Sequence, residues 1–514
     1  MKTIKMLACG AVALLFATTA LAANDNKDYA TAGELRAALS AGRTTSAQLV
    51  TTYLQRIKAR NKSLHAVTQI NPHALEDARR LDRLRAEGKV LGPLHGIPVL
   101  LKDNIDTGDG MANTAGSVLL KDNFPQHDAF LVAQLRAAGA IILGKANLSE
   151  WANFRSTHSS SGWSGTGGQA HNPYDLSRSP CGSSSGSAIA VAAGLVPLAV
   201  GTETDGSVTC PAAINGIVGI KPTLGLISRS GIIPISIHQD TAGPMATTVT
   251  GAVLLLDAMT GRDDKDPDGF APTGRYAGQL VNGGLKGVRI GVVRYLMGYH
   301  PQTDAVFEQA VQTLRSKGAT IVDNANIETL DAIEEKEFEL LAWDFKDALN
   351  EYLAGTTGDY KSLQSLIRGN REQAGAEMPY FDQEIFVQAQ ASRGRDEPEY
   401  AAQVARLKKL AGADGIDATM KKYHVDILVA PTTAPAWKID HISGDHYLGS
   451  ATTPAAVAGY PHITVPMGFV DHLPVGISFF ASARQEDRLI RTAYNYEQAS
   501  HERRAPEFLA GDPN

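Results

Sequence analysis

The feature that most constrains this chain is an abrupt change of composition at residue 188. Residues 156–187 are polar and dense in Ser and Gly, and residues 188–200 are apolar and rich in Ala. The polar part contains Trp163 and Pro180, which flexible linkers rarely carry, and a long ordered loop inside a compact domain is usually functional. The apolar part predicts a buried helix that runs into a strand. We therefore expect a buried helix–strand unit next to a functional loop.

The flanking sequence predicts more units of the same kind. Residues 96–101 are a short apolar run, typical of a buried strand, that ends at Lys102. Residues 127–140 are helical in pattern and lead into a strand at 141–144. Helices that alternate with short apolar strands indicate an α/β fold. We also expect a mostly helical excursion at about residues 331–422, before the strand pattern returns near the C-terminus.

Charge and motifs exclude several classes of function. The formal net charge is −6, and no cluster of Lys and Arg provides the basic face that nucleic acid requires. The sequence contains no H-E-x-x-H, C-x-x-C or P-loop pattern, so it predicts no metal and no organic cofactor.

The N-terminus has the pattern of a secretory signal peptide. Lys2 and Lys5 precede the apolar residues 6–22, which end in an A-x-A sequence. A membrane anchor is disfavoured because the run is short, and a lipoprotein signal because Cys9 lies near its beginning. This pattern predicts a signal peptide at residues 1–22, a mature domain at 23–514 with a charge of −6 − 2 = −8, and no stable membrane insertion after cleavage. The predicted location is periplasmic or secreted.

Cys181 and Cys210 would then be the remaining cysteines. Their spacing fits no zinc motif, and two cysteines are no disulfide framework. The sequence leaves open whether they are bonded or are buried thiols.

Serine is the best candidate nucleophile. Ser184 lies in a G-x-S-x-G sequence, but the preceding residues 175–180 are no strand, so the nucleophile elbow of α/β-hydrolases lacks its context. Two other serines, Ser183 and Ser207, lie in glycine-flanked turns on either side of the apolar segment, which could bring them together. Lys102 could act there as a base, because burial disfavours the ammonium form.

Five segments resemble the amidase signature family. They are residues 95–103, 144–150, 167–223, 240–245 and 458–461, in the family's order and spacing. The resemblance covers nearly the whole mature chain. It implies a single large α/β/α domain around a mixed β-sheet.

The resemblance also implies a Ser–cisSer–Lys triad that hydrolyses amides through an acyl-enzyme. Ser207 would be the nucleophile, Ser183 the relay serine after a cis peptide bond, and Lys102 the base. The oxyanion hole would consist of the backbone N–H groups of Thr204, Asp205, Gly206 and Ser207.

Departures from the common family pattern point to a substrate class. Asp205 places a carboxylate beside the oxyanion turn, which would favour a cationic or hydrogen-bond-donating substrate group. This variant, with residues 149–155 and 161–164, resembles bacterial peptide amidases, which convert C-terminal peptide amides to free acid and ammonia.

Other functions remain alternatives. One is a general aliphatic or aryl-acyl amidase or esterase with the same triad, and others are a non-catalytic binding protein and an α/β-hydrolase-type esterase using Ser184. The family's subunit that acts on charged transfer RNA is disfavoured by the signal pattern and the acidic charge. The expected partner is a small-molecule or peptide amide, and the oligomeric state stays open.

Overall fold

A mixed β-sheet organises the chain. The computed structural model describes residues 29–511, and strands within them form an 11-stranded sheet and a two-stranded sheet. The strands are β1 (Val67–Ile70), β2 (Pro98–Lys102), β3 (Ile141–Ala146), β4 (Trp163–Ser164), β5 (Gly168–Gln169), β6 (Leu198–Glu203), β7 (Val218–Lys221), β8 (Thr241–Ala246), β9 (Arg289–Val292), β10 (Thr320–Val322), β11 (Ile427–Pro431), β12 (His462–Val470) and β13 (Leu473–Phe480).

The large sheet has the order β1-β3-β2-β6-β8-β7-β12-β13-β11-β9-β10. Strands β3, β2 and β6 run parallel to one another, and so do strands β11, β9 and β10. The strands between these two groups pair antiparallel. The predicted mixed-sheet α/β fold is confirmed.

Helices flank this sheet. They are α1 (Ala32–Ser40), α2 (Ser46–Leu64), α3 (Ala74–Ala86), α4 (Phe130–Ala137), α5 (Ser185–Ala192), α6 (Thr209–Ile214), α7 (Val249–Met259), α8 (Pro301–Ser316), α9 (Leu330–Ala354), α10 (Leu363–Glu372), α11 (Ala374–Glu377), α12 (Glu384–Ala391), α13 (Tyr400–Ala411), α14 (Ala418–Tyr423), α15 (Thr453–Ala458) and α16 (Glu486–Ser500). A π-helical turn, Gly412–Asp417, joins α13 to α14.

Local sequence explains where these elements begin and why the sheet is central. Helix α2 begins after a capping box, in which Thr45 accepts from Gln48 N and the Gln48 side chain accepts from Thr45 N. Strands β2, β3 and β6 are buried at every residue. Strands covered on both faces are expected to be continuously apolar, as the sequence of β2 is up to Lys102. The lysine at the end of such a strand therefore lies in the interior.

The region from Leu330 to Tyr423 is helical and contributes a second apolar cluster. Its members include Phe345 and Leu349 of α9, Phe386 of α12 and Trp151, and the Phe386 ring packs against the Trp151 ring with centroids 5.5 Å apart. This cluster lies beside the loop that follows β3. No helix within residues 29–511 combines the length and apolar character needed to cross a bilayer.

Candidate active site

Lys102 ends β2 in a fully buried position. Its Nζ donates to Ser183 Oγ at 2.7 Å, to Thr202 Oγ1 at 2.9 Å and to Thr202 O at 3.2 Å. Burial lowers the pKa of Lys102 to about 7, against the opposing effect of Asp240 and Glu203. A lysine in this state is partly neutral near pH 7 and can accept a proton.

Ser183 precedes α5 and faces Lys102. The peptide bond between Gly182 and Ser183 is cis. The carbonyl of Ser183 accepts from Ser149 N at 3.0 Å, which ties this turn to the loop after β3. The Ser183 hydroxyl is thereby placed within hydrogen-bond distance of a buried amine.

Ser207 lies in the turn between β6 and α6, and this turn also contacts the other serine segment. Ser184 N donates to Ser207 O at 3.1 Å. Gly206 has a φ of +76°, and a Cβ there would lie 3.1 Å from Thr452 Oγ1, so glycine suits both the left-handed backbone and the close approach. The structure thus joins the Lys102 and Ser183 side chains by a direct hydrogen bond, and it joins the Ser207 turn to the Ser183 turn through the backbone bond from Ser184 N to Ser207 O.

Glu203, at the end of β6, braces the Ser207 turn. Its Oε2 accepts from Val208 N at 2.8 Å, from Thr209 N at 2.9 Å and from Thr209 Oγ1 at 3.1 Å. The carboxylate therefore holds the first residues of α6 against the end of the strand.

Ser184, the serine of the G-x-S-x-G sequence, is placed differently. It is fully buried, its Oγ donates to Thr202 O at 3.0 Å, and it accepts from Thr202 N at 3.1 Å. No strand directly precedes it among the described residues. Its hydroxyl links α5 to β6 and is not exposed to a substrate, so the α/β-hydrolase alternative loses its nucleophile.

The disulfide left open by the sequence is formed. Cys181, which precedes the cis peptide, is bonded to Cys210 at the start of α6. The bond ties the Ser183 turn covalently to the helix that follows Ser207.

A cavity of about 550 Å³ opens at these turns, within the usual range for small-molecule sites. Gly182 and the segment from Thr204 to Ser207 line one side of it. An apolar wall contains Phe154, Ile235, Phe338, Leu341 and Ile385. Polar side chains of two further segments also line the cavity: Ser156, Thr157, His158, Ser159 and Ser161 from the first, and Ser443, Asp445, Tyr447, Ser450, Thr452 and Thr453 from the second.

The sequence did not predict several residues that bind the candidate catalytic groups or line the cavity. Thr202 holds Lys102 and accepts at Oγ1 from Asn104 Nδ2 at 3.0 Å. Asp240 accepts from Thr204 Oγ1 at 2.6 Å, and burial raises its pKa to about 6. Trp437 and Asp445 line the cavity from a distant segment. Asp240 begins the segment 240–245 that the sequence singled out, and Asn104 directly follows the segment 95–103, whereas no motif marks Trp437 or Asp445.

Comparison with known proteins agrees with this geometry. The family model described as amidase matches residues 48–490. The chain belongs to the amidase signature family.

Its relatives include solved peptide amidases. This amidase is 47% identical to the native peptide amidase of Stenotrophomonas maltophilia, covering 93% of this chain and 98% of that one, with a TM-score of 0.89. Peptide amidase PAM in complex with the competitive inhibitor chymostatin is 48% identical, with 93% and 99% covered and a TM-score of 0.90. A protein of Arabidopsis thaliana named as an amidase is 41% identical, covering 94% of this chain and 92% of its own length. The protein is an amide hydrolase.

The comparisons correct the predicted location. Three relatives at 41%, 35% and 35% identity are plant and fungal amidases, from Arabidopsis thaliana, Schizosaccharomyces pombe and Arthroderma benhamiae. The prediction of a periplasmic or secreted bacterial protein is therefore wrong. It rested only on the composition of residues 1–22, which lie outside the described residues. An apolar run with a small-residue ending is a compositional pattern and does not by itself fix a compartment.

Among the side chains that the structure describes, His, Cys, Asp and Glu residues form no group of three or more that could hold a metal ion.

Proposed function

We propose that this amidase deamidates C-terminal peptide amides, releasing the free acid and ammonia, with Ser207, Ser183 and Lys102 as its triad. The observation that carries the proposal is the 2.7 Å contact between Lys102 Nζ and Ser183 Oγ at a fully buried site. A lysine whose pKa falls to about 7 can take a proton at physiological pH.

The proposed reaction has two halves. Ser207 Oγ attacks the amide carbonyl while its proton passes to Ser183, which gives its own proton to Lys102. The oxyanion is stabilised by the backbone N–H groups of Thr204, Asp205, Gly206 and Ser207. Lys102 returns the proton through Ser183 to the leaving nitrogen, and ammonia departs. Water then attacks the acyl-enzyme by the same proton path and releases the acid.

The substrate class is supported by the similarity to peptide amidases and by the residues that line the cavity. One solved relative binds chymostatin as a competitive inhibitor. The cavity combines an apolar wall with a polar wall built from serines, threonines and Asp445, which suits a peptide with apolar side chains and a hydrogen-bonding backbone.

The test is to incubate the full chain with peptide amides, simple aliphatic and aryl amides, and esters, and to follow ammonia release and product mass. We expect the C-terminal amide to become the acid with internal peptide bonds intact, and Ser207→Ala to abolish the conversion. Turnover of simple amides alone would favour the general amidase instead. Folded protein that turns over none of these compounds would favour a binding protein.

A further inference from the structure

One loop of the cavity wall lies at the cavity entrance. Ser156, Thr157 and His158 line the cavity, and Thr157 and His158 are also exposed on the protein surface. The candidate catalytic turns, with Gly182 and residues 204–207, line the same cavity. A peptide amide held at those turns has further residues that extend toward the entrance, whereas a small aliphatic amide has none. The loop is therefore placed to contact the part of a peptide that does not react.

Glu384, the first residue of α12, holds this loop through one carboxylate oxygen. Its Oε1 accepts from Ser156 Oγ at 2.7 Å, from Thr157 N at 2.6 Å and from Thr157 Oγ1 at 2.9 Å. The backbone adds a bond from Ile385 N to Arg155 O at 3.2 Å. These bonds attach the loop to the start of α12, where Ile385 itself lines the cavity.

Glu384 can only accept hydrogen bonds. Burial acts to raise the pKa of Glu384, but hydrogen bonds from Ser156, from its own backbone and from Thr157 outweigh burial and lower this pKa to about 2. The side chain is thus ionised at neutral pH, and a carboxylate has no proton to donate. The hydroxyl protons of Ser156 and Thr157 therefore point at Glu384 and not at a ligand in the cavity.

The two hydroxyl oxygens keep the capacity to accept. Ser156 Oγ accepts from His158 N at 3.0 Å, and Thr157 Oγ1 lies 3.2 Å from His158 Nδ1. A hydroxyl oxygen has two lone pairs, so each of the two oxygens retains at least one. Both tautomers of His158 leave this result unchanged, because a protonated Nδ1 uses one lone pair of Thr157 and an unprotonated Nδ1 is a second acceptor for the Thr157 proton. These hydroxyl groups offer a ligand acceptors and no donors.

We propose that Glu384 is a positioning residue that makes Ser156 and Thr157 acceptors for a peptide N–H group of the substrate, upstream of the amide that is hydrolysed. The inference rests on the proposed deamidation and specifies how the peptide part of the substrate is recognised. Each residue of a peptide other than proline carries such an N–H group, whereas simple aliphatic amides and esters carry none at that place. The contact therefore favours peptide amides over these other substrates and involves no reacting atom.

The experiment follows ammonia release from an acetylated tripeptide amide and from three analogues, each with one peptide N–H replaced by an ester oxygen. This replacement preserves the shape of the peptide and removes the donor, and product mass shows that the internal ester stays intact. We expect at least one analogue to have a kcat/KM about fivefold below that of the parent, as for the loss of one hydrogen bond. The change should lie in KM, with kcat unaltered, because the contact is the same in the ground state and the transition state.

Variants assign this preference for the N–H group to the loop and to Glu384. Ser156→Ala combined with Thr157→Val removes both acceptors and should make the parent and the analogues equal. Glu384→Leu removes the carboxylate and should reduce the preference, whereas Glu384→Gln keeps Oε1 and should retain most of it.

Asp263→Ala is the matched control for the loss of a carboxylate that holds a loop. Asp263 accepts from Ser228 Oγ at 2.6 Å and from Lys265 N at 3.0 Å, and it does not line the cavity. This variant should leave the preference unchanged. Thermal melting checks that each variant is folded.

The outcomes that contradict the inference differ from those that contradict the proposed function. Equal kcat/KM for the parent and all three analogues in the wild type would overturn the role of the loop and leave the deamidation standing. A preference that persists when both hydroxyl groups are removed would do the same, because the N–H group would then be bound elsewhere. Turnover of simple amides without ammonia release from the parent peptide would overturn the proposed peptide specificity, and this inference with it.

Discussion

Lys102 shows how one residue acquires its chemistry from position. An exposed lysine is an ammonium ion at neutral pH, but this one lies at the end of a strand covered on both faces. Its pKa of about 7 follows from burial, which outweighs the nearby Asp240 and Glu203. The hydroxyl groups of Ser183 and Thr202 then orient the amine.

The first prediction concerns the pH dependence of this group. Below a pH of about 7 Lys102 becomes an ammonium ion and cannot accept a proton, so kcat/KM should fall as pH decreases through that value and level off above it. Lys102→Met keeps the length of the side chain and removes the base. We expect it to lower kcat by about 10³-fold and to abolish the acid limb, as measured by steady-state kinetics from acid to alkaline pH.

Measurements of stability distinguish the loss of the catalytic base in Lys102→Met from misfolding of the variant. The unfolded lysine binds a proton below pH 10.5, whereas the folded one does so only below about 7, so the wild type loses stability as pH falls between these values. Lys102→Met lacks this loss and should melt at or above the wild-type temperature at pH 7. Lys145→Met is the matched control, since Lys145 is also fully buried but donates to Ile105 O. An equally deep loss of kcat in that control would contradict a specific role for Lys102.

At the residue scale, the sequence predicts the candidate catalytic side chains but not the residues that hold them in place. Ser183, Ser207 and Lys102 lie in recognisable local patterns. Thr202 is an ordinary strand threonine in the sequence, and its contact with Lys102 spans 100 positions. Such a partner becomes visible only when β2 and β6 pair.

The strand–turn–helix unit from β6 to α6 illustrates the scale of elements. Glu203 braces its turn, Gly206 allows its left-handed backbone, and the disulfide to Cys181 joins it to the segment before α5. The two serine turns are therefore held together as one structural unit, although they are separate in sequence.

The second prediction tests that unit. The disulfide closes a loop with a sequence separation of 29, so Cys181→Ser combined with Cys210→Ser should lower the free energy of unfolding by about 3–4 kcal/mol. Urea denaturation of the variant and of the wild type checks this, and the wild type in reductant should match the variant. If reductant leaves the wild-type midpoint unchanged and releases no additional thiols, the bond is absent in solution.

At the scale of the whole molecule, the helical region supplies one wall of the cavity. Phe338 and Leu341 come from α9 and Ile385 from α12, while the candidate catalytic side chains come from the sheet and its turns. This division allows the wall to set substrate preference without moving the reacting groups.

The third prediction concerns that wall. Leu341→Ala should raise KM for peptide amides with a large apolar C-terminal residue by about tenfold, because it removes apolar contact with the substrate, and it should change kcat little. Steady-state kinetics with peptide amides that end in a large or in a small apolar residue measure this change in KM.

Leu349→Ala provides the control for stability. Leu349 lies on the same helix and is fully buried in the same apolar cluster, but it does not line the cavity. It should lower thermal stability and leave KM unchanged. Equal rises of KM in both variants would indicate a general loss of packing instead of a substrate-binding wall.

The sequence by itself determined the α/β class, the buried strand that ends at Lys102, and the two serine turns, because each depends on a local hydrophobic period or on glycines at fixed spacing. The tertiary structure alone decided the order of the 11 strands, the bonding of Cys181 to Cys210, and the wall that brings Asp445 to the cavity. These features join residues that are far apart in the chain. Local propensity carries no information about such contacts, and they are fixed only when the sheet and its flanking helices pack together.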